Sequence, residues 1–80
     1  AEINTRLKDG TSAEEKMDGL AAMYTEGRTY SMDGVSVEFH NWHFNVRASN
    51  TEPLLRLNLE ATTEDLMEQK RDEVLAFIRS

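Results

Sequence analysis

Eighty residues with nine Lys and Arg against fifteen Asp and Glu, a formal charge of -6, describe one small domain. It is too short for a multi-domain catalyst, and phosphate backbones and anionic membranes repel it at long range. Hydrophobic residues make up 39% and charged residues 30% with a single proline, so the chain lacks the bias of disorder.

The absence of cysteine removes disulfides and thiolate chemistry and favours a reducing compartment. No apolar run approaches the ~20 residues of a membrane span, and no signal-peptide pattern opens the chain. The expectation is a soluble cytoplasmic protein with no nucleic-acid and no membrane partner.

From Glu2 to Lys8 the chain alternates, with Ile3, Thr5 and Leu7 on one side and Glu2, Asn4, Arg6 and Lys8 on the other, the period of a half-buried strand. Asp9-Gly10 ends it as a turn. Ser12 and Glu15 form a capping box ahead of Ala13, Met17, Leu20, Ala21 and Tyr24, which predicts a helix over 12–26 closed by Gly27. Gly19 inside that helix costs about 1 kcal/mol relative to Ala and marks a position where close packing is expected.

After the Asp33-Gly34 turn, Val35, Val37 and Phe39 alternate with Ser36 and Glu38. His40-Asn41 is short enough for a hairpin loop, and Trp42, Phe44 and Val46 then alternate with His43, Asn45 and Arg47. Residues 49–53 are rich in turn formers, and Leu55, Leu57, Leu59 and Ala61 form a further strand. Thr62 with Asp65 resembles a capping box opening a helix to about Arg79, with Leu66, Met67, Val74, Leu75, Phe77 and Ile78 on its apolar side.

The order β-α-β-β-β-α predicts an α+β two-layer sandwich, an antiparallel four-stranded sheet with two helices on one face. The other face then carries Asn45, Arg47, Arg56 and Asn58 and is free for function.

The stretch Arg47-Ala48-Ser49-Asn50-Thr51-Glu52-Pro53-Leu54-Leu55-Arg56 holds the chemistry. Arg47 and Arg56 share the open face on either side of a turn, so their guanidinium groups can converge. Between them Ser49, Asn50 and Thr51 offer side-chain donors, and the turn backbone can direct N–H groups into an anion nest. Phosphate needs several such donors, and Arg supplies them in pairs. The alternative on spacing alone is a plain loop flanked by solvated arginines.

Arg-x-Ser-Asn-Thr-Glu-Pro-x-x-Arg over 47–56 resembles the phosphate-binding loop of the C-terminal domain of the α-D-phosphohexomutases. The wider run from Asp33-Gly34-Val35 through Trp42-His43-Phe44 to Leu57-Asn58-Leu59-Glu60-Ala61 is similar to their phosphomannomutase and phosphoglucomutase branch. The resemblance implies a TBP-like fold and residues 1–80 as one C-terminal phosphate-binding domain of a larger four-domain enzyme, inactive alone. It implies that Arg47, Ser49, Asn50, Thr51 and Arg56 bind phosphate while Glu52 and Pro53 shape the loop.

The implied reaction moves a phosphoryl group between C1 and C6 of a mannose or glucose phosphate through a bisphosphate. In it, the resemblance implies, this domain grips the phosphate that is not transferred. The nucleophile, the sugar loop and the Mg2+ site would belong to the other three domains, its partners, leaving this domain with no cofactor. The alternatives are the phosphoglucosamine mutases, which usually carry Gly at the position of Asn50, and a non-enzymatic protein-interaction module using the open sheet face.

Elsewhere the bland readings prevail. His40 and His43 have only Glu38 as a near third metal ligand and read as turn and surface histidines. Trp42 lies on the apolar side and reads as core.

Overall fold

A computed structural model describes residues 2–8, 10–31, 34–49 and 52–80. Its elements run β1 (Glu2–Arg6), α1 (Ala13–Met23), β2 (Arg28–Tyr30), β3 (Val35–Glu38), β4 (Trp42–Ala48), β5 (Leu54–Ala61) and α2 (Glu64–Ile78). The five strands form one antiparallel sheet in the order β1-β5-β4-β3-β2.

The expected α+β architecture stands, with one correction. The sheet has a fifth strand, β2, whose three residues are all exposed. Having no apolar alternation, it leaves no period-two signal to read.

Alternation in the central strands makes the core. Val35 and Val37, Trp42, Phe44 and Val46, and Leu55, Leu57 and Leu59 all point to one face and are buried. Leu20 and Tyr24 from the α1 side and Val74, Leu75 and Ile78 from α2 close over them. Several of these side chains are wholly inaccessible, so the 80-residue chain closes a core of its own.

The His40-Asn41 loop is the two-residue hairpin expected, sealed by the Phe39 N–H donating to the Trp42 carbonyl at 2.8 Å. Trp42 is a core residue, stacked on Phe39 at 4.7 Å between ring centroids.

Helix boundaries differ from the sequence reading at three points. Ser12 caps α1 as expected, accepting from the Glu15 N–H, but α1 ends at Met23. Gly27 is therefore not its cap; it passes beneath Val37 and Phe39. The α2 cap is Thr63 rather than Thr62; Thr62 still extends the sheet, its N–H donating to the Asn41 carbonyl as the last rung beside β4. The Thr63 Oγ1 accepts from the Leu66 N–H. Of the expected turns, Asp9 and Asp33 lie outside the described residues, as does Met32.

Gly19 is where close packing requires it: a Cβ there would sit 2.5 Å from the tip of the Phe77 ring, so α1 and α2 meet at that point. Lys16 completes the contact, its Nζ donating to the Phe77 carbonyl at 2.9 Å and to Ser80 at the end of α2. A cation at the negative end of a helix satisfies carbonyls that have no partner within it. Among the described residues no helix is long and apolar enough to cross a membrane.

Candidate functional site

The register places Arg47 of β4 directly opposite Arg56 of β5, with both side chains exposed on the face away from the helices. Two hydrogen bonds fix the phase of this ladder. Ser49 N–H donates to the Leu54 carbonyl at one end and Thr62 N–H to the Asn41 carbonyl at the other. Arg47 and Arg56 therefore form a hydrogen-bonded pair, with Cα atoms about 5.5 Å apart. Like charges facing each other at this separation destabilise a sheet, and an anion bound between them removes the conflict.

Beyond the pair the strands close into the 49–53 loop. The Leu54 N–H donates to the Glu52 carbonyl at 2.8 Å, a tight turn centred on Pro53, and the Leu7 N–H donates to the Pro53 carbonyl at 2.9 Å. The Ser49 N–H is spent on the ladder, so its contribution to an anion would come from its side chain. Asn50 and Thr51, the other two expected phosphate ligands, lie outside the described residues.

Gly34 supports the loop end from the β3 side. Its φ of +119° belongs to glycine, and a Cβ there would overlap the Val46 carbonyl oxygen and come within 3.0 Å of Arg47. The chain entering β3 can thus lie flat against β4 behind Arg47.

One rung further from the loop the face turns neutral. Asn45 opposes Asn58, and its Nδ2 donates to Ser36 Oγ at 2.8 Å. The next rung carries His43 between Glu38 and Glu60, with Arg28 opposite Glu38. The open face is therefore cationic at the loop end and acidic at the other.

The expected face residues Asn45, Arg47, Arg56 and Asn58 are brought together as the alternation required. What sequence reasoning missed is the place of the first strand: β1 pairs with β5, which sets Asn4 directly opposite Arg56. Only strand order carries that information, and periodicity is silent about it.

A separate cavity of about 400 Å³ lies at the far end of the sheet, lined by Met23, Tyr24, Phe39, Trp42, Leu66 and Lys70 among others. The Lys70 Nζ sits 5.1 Å above the Trp42 ring and covers the buried indole.

Comparison with known proteins decides the family. The model of the phosphoglucomutase/phosphomannomutase C-terminal domain matches residues 2–77. The chain belongs to this family. Over 77 residues it is 44% identical to a phosphomannomutase of Methanocaldococcus jannaschii, covering 96% of this chain and 16% of that protein. Over 81 residues it is 38% identical to a phosphomannomutase of Escherichia coli, covering 98% of this chain and 17% of that protein. A phosphoglucomutase of Neisseria meningitidis is 38% identical over 82 residues, with 99% of this chain and 18% of that protein covered. The chain thus spans 16 to 18% of the length of these relatives.

In this phosphoglucomutase/phosphomannomutase C-terminal domain, the family resemblance read from 47–56 extends over both helices and all five strands.

Proposed function

We propose that this chain is the phosphate-gripping C-terminal domain of a four-domain phosphohexomutase acting on mannose or glucose phosphates. The observation that carries the reading is the direct opposition of Arg47 and Arg56 at the mouth of the 49–53 loop. Like charges set directly opposite each other destabilise a sheet, and a bound anion offsets that cost.

In this reading Arg47, Ser49, Asn50 and Thr51 hold the phosphate that is not transferred, Arg56 closes the site from β5, and Glu52 and Pro53 shape the loop. The transferred phosphoryl group passes from a phosphoserine on another domain to a sugar hydroxyl, giving a bisphosphate that turns around and returns its other phosphate to the serine. One nest serves both orientations because each presents a phosphate monoester at the same place.

Mg2+ would be held by the other domains and stabilise the transferring phosphoryl group. Among the described residues no group of three or more His, Asp or Glu is arranged to hold a metal. In this reading the serine nucleophile belongs to another domain, so the domain alone is inactive. The full protein is cytoplasmic, and its hexose phosphate is gripped by closure of this domain against the other three.

The test is an amide NMR titration of the 80-residue chain with mannose 1-phosphate, repeated with sodium chloride at equal ionic strength and with Arg47→Ala. The expected result is saturable shifts clustered at 47–56, absent with chloride and lost in the variant. Millimolar affinity is enough, since about 4 kcal/mol corresponds to it. Saturation elsewhere, or none up to tens of millimolar, overturns the reading of this loop as a preformed phosphate site.

A further inference from the structure

The polar side of β1 belongs to the open face. Asn4 is the partner of Arg56 and Arg6 the partner of Leu54, while the Leu7 N–H bond to the Pro53 carbonyl carries the pairing up to the loop. Arg6 therefore stands diagonally from Arg56, about 7–8 Å away between Cα atoms and within reach of long side chains. Arg47 stands on the opposite flank of Arg56. Three exposed guanidinium groups from three adjacent strands surround the same end of the sheet.

Among the described residues no acid forms an ion pair with them. Glu60 lies four residues beyond Arg56, about 14 Å along the strand, and Glu38 lies on the rung of His43. Glu2, opposite Asn58, stands diagonal to Arg56 at the same about 7–8 Å as Arg6, and Glu52 is in the loop. Neither is paired: among the described residues the ion pairs are Lys70–Glu73 and Arg71–Asp72, both on α2. The fourth arginine of the sheet, Arg28, has Glu38 directly opposite it. Arg6, Arg47 and Arg56 have no acid opposite them in the register.

We infer that Arg6 is a third guanidinium of the anion site, holding from β1 a phosphate dianion that Arg47 and Arg56 hold from β4 and β5. The inference rests on the reading of this loop as a phosphate site and adds a residue to it. A phosphate dianion has three terminal oxygens with several lone pairs each, so donors on three sides are all used. Arginine suits the role because its planar fork gives two parallel N–H bonds and keeps its charge at any working pH.

The test is a titration of the 80-residue chain with inorganic phosphate at fixed ionic strength, followed by amide NMR, for the wild type, Arg6→Gln, Arg6→Lys and Arg28→Gln. Arg28→Gln removes the same charge from the other end of the same face and controls for the diffuse field. Arg6→Gln is expected to weaken phosphate about 5- to 10-fold, Arg28→Gln less than about 2-fold, and Arg6→Lys by an intermediate amount. Retained amide dispersion shows that each variant is folded. Saturable wild-type binding with Arg6→Gln no weaker than Arg28→Gln overturns the role of Arg6 alone. No saturable wild-type binding overturns the phosphate reading and the role of Arg6 together.

Discussion

Arg47 and Arg56 are direct partners on one rung of the β4–β5 ladder, so the ligand-free domain holds two like charges where a sheet ordinarily sets opposite ones. If the pair serves an anion, as proposed, it does so at a cost to fold stability. Arg56→Thr, which removes one charge and places a good strand former, is expected to stabilise the free domain by about 0.5 kcal/mol. The same variant is expected to bind phosphate more weakly. Thermal melts with and without phosphate check both halves, and a variant less stable than the wild type without phosphate would show that no such conflict exists.

The Gly19–Phe77 contact is expected to make glycine better than alanine at this helical position. In an open helix, Gly→Ala gains about 1 kcal/mol. Here the added Cβ meets the Phe77 ring, which is seated beneath the Lys16 ammonium at 4.6 Å from its centroid. Gly19→Ala is expected to cost about 1–2 kcal/mol by displacing that ring. Adding Phe77→Leu should recover part of the loss, so the two substitutions are non-additive in urea denaturation.

Most of the fold was legible because its strands alternate cleanly and its helices carry caps. Ser12 announced α1, and Val35 to Phe39 with Trp42 to Val46 announced the hairpin. What stayed hidden depended on strand order or on exposed backbone. Arg28–Tyr30 joins the sheet at an edge with no apolar side chain to mark it. Thr62 offered a plausible cap, but it still extends the sheet beside Asn41, and the helix opens one residue later. At the site, Arg47 and Arg56 could be set on one face from periodicity alone. Asn4 and Arg6 could not be brought to them, because alternation within a strand says nothing about its neighbour.

Among the described residues Thr5 is the one buried polar side chain, 3% exposed, and its hydroxyl has no hydrogen-bond partner. A hydroxyl removed from water without replacement costs free energy that an equal-sized methyl does not. Thr5→Val is expected to stabilise the domain by about 1 kcal/mol, raising the urea midpoint at unchanged slope. A lowered midpoint would mean that the hydroxyl is satisfied after all.

Tyr24 is expected to set the domain's alkaline limit. Burial raises the phenol well above its ordinary value near 10, and the hydrogen bond it donates to Glu73 Oε1 at 2.6 Å raises it further, as does the carboxylate charge. The ring is held edge-on by Trp42 and Phe44 at 5.3 and 5.4 Å, so it cannot swing out to ionise without opening the core. The raised value favours the neutral phenol of the folded state. Its contribution to stability is therefore complete below about pH 10 and is lost as pH rises from there toward the folded value. Stability by urea denaturation is expected to fall steadily above about pH 10 in the wild type and less steeply in Tyr24→Phe. At neutral pH Tyr24→Phe should cost about 1 kcal/mol, the loss of one partly exposed hydrogen bond to a carboxylate. Equal alkaline slopes in the two proteins would place the linkage on another group.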